Sequence, residues 1–249
     1  MEQQGNVTKK AQTIESVTKY REVGRAKAGF TFFGYGLESF GVIGLELLLV
    51  YVIEPMIYHR PMQEFTKAQI ICHWVVTCLL WGLGAWAVIR DCRKSCGVDL
   101  WANVTQKKLF GEAGEIRIGH WMLILSGVVC CLVSTWIDWN GSKVLAEFQK
   151  KGPLLFSFQY IYYLFEVVLV LLVIVFGQMA FETWFNAEQI PFGGILVALT
   201  WGLGHWMTKG SLATGLYTAI GGLVFGSVYL WTNRNVKLSY LLLCIMFIL

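Results

Sequence analysis

The chain has 249 residues, of which 56% are hydrophobic, 15% aromatic and only 14% charged. A soluble domain carries about 25% charged residues, so this composition excludes an ordinary soluble globular protein and points to an integral membrane domain. The net charge of +4 comes from basic residues that lie between apolar runs rather than in one patch; this argues against nucleic acid and makes the lipid bilayer the first partner.

Residues 1–28 read as a polar, basic tail carrying Lys9, Lys10, Lys19, Arg21, Arg25 and Lys27, without the apolar core of a secretory signal. Its simplest role is a cytoplasmic anchor. Residues 29–249 read as a single all-α membrane domain, a polytopic transmembrane helical bundle of about six to seven spans. Spans are predicted over Ser39–Ile57, Ala68–Ile89, Gly119–Trp139, Leu154–Ala180, Ile190–Met207 and Leu212–Trp231. Each approaches the roughly 20 residues that cross about 30 Å of hydrocarbon. The last apolar run, Val236–Leu249, is short for a crossing unless the bilayer is thin there.

Loop charges set the orientation. The loop after the second span holds Arg90, Arg93, Lys94, Lys107, Lys108 and Arg117, whereas the loop after the first holds only Arg60 and Lys67. By the positive-inside rule the N-terminus is cytoplasmic. The seven cysteines show no C-x-x-C spacing and read as small buried hydrophobes. One internal echo is present, Trp81-Gly82-Leu83-Gly84-Ala85-Trp86 against Trp201-Gly202-Leu203-Gly204-His205-Trp206, and it reads as a shared packing solution in which small residues let helices approach.

Polar side chains inside such runs are costly and mark functional positions by default. Gln178, Glu182 and Asn186 recur every four residues, so on a helix they form one stripe. A carboxylate withdrawn from water there suits a general base that takes up a proton near neutral pH. A helix-end glutamate reaching interfacial water explains the same spacing. His205 suits polarisation of a substrate oxygen, metal binding or a bond to a neighbouring helix. The expected topology puts Glu182 near the cytoplasmic end of the fourth span and His205 toward the outer end of the fifth. A break near Pro191 or a strong tilt would have to absorb that difference in depth. A divalent metal would need a third ligand from afar, such as His73, His120 or Glu166, and no metal-binding spacing is present. Glu46 and Glu166 are further carboxylates within apolar runs, each also explained by a bond across the bundle.

The C-terminal third, about residues 165–249, resembles the CAAX-prenyl-protease and bacteriocin-processing (CPBP, or Abi) family of intramembrane proteases. Phe181-Glu182-Thr183-Trp184-Phe185-Asn186 falls where that family has Glu-Glu-x-x-x-Arg, and Trp201-Gly202-Leu203-Gly204-His205 where it has Phe-x-x-x-His. The glycine-rich helix that follows is matched by residues 215–231. The resemblance implies that Glu182 activates water and His205 polarises the substrate; Gln178, Asn186 and Glu166 are the supporting polar residues that spacing and placement in apolar runs suggest. The substrate would be a membrane protein or a lipidated peptide. The chain departs from the pattern at Phe181, at Asn186 and in having no histidine after His205, with Cys244 roughly where one would fall. Three readings follow: an intramembrane endopeptidase, a non-catalytic CPBP-like protein that binds or regulates a membrane partner, and a transporter built on Glu46, Glu166 and Glu182.

Overall fold

A computed structural model describes residues 24–100 and 116–249, and these form seven helical rods with no strand. α1 runs through Arg25–Leu48, a π-turn at Leu49–Ile53 and Glu54–Tyr58. α2 is Lys67–Cys96, opened by a Thr66/Gln69 capping box and stopped by Gly97 in the left-handed region at φ 70°. α3 is Ile118–Asp138. α4 is Lys143–Phe185, capped by Ser142 and broken at Gly152, whose φ of 74° and ψ of 168° precede Pro153. α5 comprises Phe192–Val197, a π-turn at Ala198–Gly202 and Leu203–Lys209. α6 is Leu212–Trp231 and α7 is Val236–Ile248, their first turns capped by Ser211 and Asn235.

Five of the seven, α1 to α4 and α6, are long and apolar enough to cross a membrane. α5, continuous from Phe192 to Lys209 through its π-turn, is not among these five, and α7 has only 13 residues. The all-α bundle expected from composition is therefore what forms. α1, however, begins at Arg25 rather than at Ser39. Its early residues are aromatic on one side: Phe30 and Phe33 pack against the Trp184 ring, and the Trp184 indole donates to the Ala26 carbonyl at 3.2 Å. These contacts, with Ala28 and Phe32 buried beside them, hold the helix into the stretch assigned to the tail. Residues 1–23 of the tail, and the basic positions Lys107 and Lys108, lie outside the described residues.

Residues 169–180 of α4 are buried without exception. A helix that is apolar all round suits either lipid or a packed interior, and here α1, α2, α5 and α7 surround it. α1 and α2 run antiparallel: Tyr35 on α1 bonds Asp91 on α2 at 2.7 Å, and Glu54 near the other end of α1 bonds His73 near the start of α2. The echoed tryptophans dock on successive turns of α4, Trp81 against the Tyr162 ring at 4.7 Å and Trp201 against Glu166 at 2.9 Å.

Close approach requires glycine at two crossings. A Cβ on Gly193 would lie 2.0 Å from the Ile174 carbonyl oxygen of α4, and one on Gly226 would lie 2.3 Å from the Gly194 Cα of α5. Neither obstacle is a flexible side-chain tip, so the backbones themselves would have to part. On α1, by contrast, a Cβ on Gly41 meets nothing within 4 Å. Gly193→Ala and Gly226→Ala are expected to cost about 1–3 kcal/mol each through overpacking. Gly41→Ala is expected to be neutral or stabilising by up to about 1 kcal/mol from helix propensity. Thermal unfolding of the three variants in one detergent checks the order.

Candidate functional site

At the end of α4 nearest the start of α1, Gln178 acts as a clamp. Its Nε2 donates to Glu182 Oε1 at 2.6 Å and to the Ile190 carbonyl at 2.8 Å, while its Oε1 accepts from the Gly193 N–H at 2.9 Å. One fully buried amide thus joins the end of α4 to the loop and to the first turn of α5. Glu182 accepts a second hydrogen bond at Oε1, from Arg234 Nη2 at 2.6 Å, and the same guanidinium donates to the Glu188 carbonyl at 2.9 Å. Arg234 reaches it from the turn between α6 and α7, where Asn233 and Arg234 both adopt left-handed backbone, φ 53° and 59°. Non-glycine residues occupy that region rarely. The Glu182 and Arg234 side chains are only 4% and 12% exposed, so each charge neutralises the other away from water. Glu182 Oε2 is buried and accepts no hydrogen bond among the described residues.

The predicted stripe stops after two members. Asn186 is the left-handed cap of α4 at φ 54° and is exposed, so it ends the helix instead of lining the interior. Gln178 and Glu182 alone remain inside.

A second polar group lies deeper. His73, fully buried, places Nδ1 3.0 Å from Glu54 Oε1 and 2.9 Å from Glu54 Oε2, with Nε2 3.7 Å from Glu46 Oε1. Eight residues on a regular α-helix would turn Glu54 about 80° away from Glu46. The π-turn at Leu49–Ile53 inserts one extra residue and brings both carboxylates to the face that meets α2. One turn along α4 from Tyr162, Glu166 accepts the Trp201 indole hydrogen at 2.9 Å, and the His205 ring stands edge-on to Trp201 at 4.6 Å, with Nδ1 2.8 Å from the Trp201 carbonyl. Trp201 lies within the π-turn of α5, and His205 three residues beyond its end.

The structure does not bring Glu182 and His205 together. Glu166, which His205 joins through Trp201, stands about 24 Å of helical rise from Glu182 along α4. The loop at Pro191 absorbs none of this, because Gln178 ties the start of α5 level with the end of α4. Of the residues the sequence singled out, Glu166 and His205 share Trp201, Gln178 bonds Glu182, and Asn186 caps α4 with its backbone N–H donating to the Glu182 carbonyl at 2.9 Å. Among the described residues no three His, Cys, Asp or Glu side chains are arranged to hold a metal ion.

Sequence reasoning missed Arg234. Its signal was the polar run Thr232-Asn233-Arg234-Asn235 between two apolar stretches, which reads as an ordinary turn until the fold closes it over Glu182. Comparison with protein-family models, with curated proteins and with solved structures finds no match.

Arg234→Ala strands a buried carboxylate and is expected to cost about 3–5 kcal/mol. Glu182→Gln in the Arg234→Ala background is expected to recover most of that loss, since a neutral amide needs no counter-charge. Unfolding midpoints of the single and double variants in detergent test the coupling, and a double variant no more stable than Arg234→Ala contradicts it.

Proposed function

We propose that this chain is a non-catalytic, CPBP-like membrane protein that holds or regulates another membrane protein rather than cutting one. The observation that carries the reading is the separation of Glu182 from His205. A general base and a polarising group act on one bond only when both reach it, and here about 24 Å of α4 lies between them. Glu182 is instead engaged in fixing the turn before α7 through Arg234.

The surface of α1 supports a partner. Gly34, Gly41 and Gly44 fall within about 80° of arc on that helix, and a Cβ on any of them would meet nothing within 4 Å. Small residues on an open membrane-facing helix permit the close backbone approach that drives helix association in lipid. Such a face suits a second transmembrane helix.

Intramembrane endopeptidase is the second reading, and one observation favours it: Glu182 Oε2 is a buried acceptor with a lone pair to offer a water. Transport calls for discontinuous helices around a midplane site, whereas α1 and α5 remain helical through their π-turns.

The two leading readings separate in membranes of cells expressing wild type, Glu182→Gln and Glu166→Gln at matched levels. Identical protein N-termini in all three are expected, together with a membrane protein that cross-links to wild type and is lost in Gly41→Leu. New N-termini that appear with wild type and vanish in either carboxylate variant would establish proteolysis and overturn the proposal.

A further inference from the structure

Between α2 and α4 an apolar groove of about 370 Å³ opens on the outside of the bundle. Its walls include Trp74, Cys78 and Gly82 from α2 and Phe158, Ile161 and Phe165 from α4. Leu79 and Leu83, also in the wall, are 61% and 63% exposed, so the opening faces whatever surrounds the protein. The contact at Gly82, where a Cβ would lie 2.9 Å from the Phe165 ring, closes it on the inside.

One end of this groove is cationic. Lys151 places Nζ 5.6 Å from the centre of the Trp74 ring and donates to Gln159 Oε1 at 2.6 Å. Among the described residues no carboxylate stands within 4 Å of it. An ammonium has three N–H donors, so two are left for another acceptor. The break at Gly152 puts Lys151 there, because it ends the first segment of α4 beside Trp74. Lys150, next in the chain, is exposed.

We infer that this groove is a binding site for one anionic phospholipid of the surrounding bilayer, with an acyl chain along α2 and α4 and the phosphate on Lys151. From Trp74 to Leu83 the wall rises about 14 Å, close to half of the roughly 30 Å hydrocarbon core. A single leaflet's chain fits that depth. A helix, at a diameter of about 10 Å, is too wide to lie inside the groove and could offer only side chains to its mouth, whereas a single acyl chain is narrow enough to lie along it. Charge selects the headgroup, since a choline or ethanolamine cation would bring positive charge up to Lys151 whereas a glycerol headgroup would not. This inference is independent of whether the chain cuts a substrate.

The test uses the full-length protein in nanodiscs of phosphatidylcholine and phosphatidylglycerol in equal amounts, followed by native mass spectrometry of the lipid that stays bound. Wild type is expected to retain one phosphatidylglycerol per chain, favoured over phosphatidylcholine by about fivefold, the effect of one lysine at an anionic headgroup. Lys151→Gln is expected to bring the ratio to parity, and Lys151→Arg to restore it. Leu79→Trp, which fills the groove, is expected to abolish retention of both lipids, while Leu125→Trp on α3 leaves retention unchanged. Thermal unfolding like that of wild type shows each variant to be folded, and Lys151→Arg keeps the test open if Lys151→Gln unfolds. Equal retention of the two lipids by wild type, an unchanged preference in Lys151→Gln, or unchanged retention in Leu79→Trp would each overturn the inference. So would a change of oligomeric state in Leu79→Trp, which would assign the groove to a second copy of the chain.

Discussion

The contact on which most of this structure depends is backbone against backbone, where Gly193 of α5 meets α4 at Ile174. Residues 169–180 of α4 are buried on every side, and α5 reaches its distance from α4 only because Gly193 has no Cβ. That contact fixes the level at which α5 begins. Gln178 then bonds the Gly193 N–H and the Ile190 carbonyl in one move, so the short connection from α4 to α5 becomes part of the packed bundle. Glu182 is held one turn beyond, where a residue from the α6–α7 turn can reach it.

The interior charges are satisfied by a similar local economy. A buried carboxylate without a partner is costly in any protein and more so in hydrocarbon. Here Glu54 takes His73, Glu166 takes the Trp201 indole and Glu182 takes Arg234. Two of these three pairings stand beside a π-turn. In α1 the extra residue of Leu49–Ile53 rotates Glu54 back onto the face of Glu46, and in α5 the π-turn at Ala198–Gly202 carries Trp201 itself. Regular α-helices of the same length would have pointed at least one member of the Glu46–Glu54 pair toward lipid.

The coarse fold was legible because hydrophobicity over about 20 residues is a property of composition: the ranges around α2, α3, α4 and α6 agree with the helices to within a few residues at most ends. α1 was read too short because its first turns mix Lys27, Thr31 and Glu38 with aromatic residues, and only tertiary contact with Trp184 reveals those aromatics as packing groups. The pairing of Gln178 with Glu182 was legible from spacing. Asn186 was not, since spacing by four cannot show that the helix stops one residue earlier. Nor could any periodic argument find Arg234 or the Glu46–His73–Glu54 group. The first depends on two left-handed residues in a turn, and the second on an inserted residue that breaks the period from which such arguments proceed.

The depth of α5 therefore decides which chemistry the chain can support. Bringing His205 to Glu182 would require α5 to slide along α4 by more than four turns, taking Gly193 out of its contact with Ile174 and Gly202 away from Ala219 on α6. Each displaced glycine would be replaced at the crossing by a residue with a side chain, and helices packed at backbone distance do not admit one. A smaller shift of one turn would break the Gln178 clamp and leave the distance to His205 nearly unchanged. Any hydrolysis by this fold would thus have to work through Glu182 with its own free oxygen, or through Glu166 with His205, and in both cases with a different partner from the one that the motif spacing suggests.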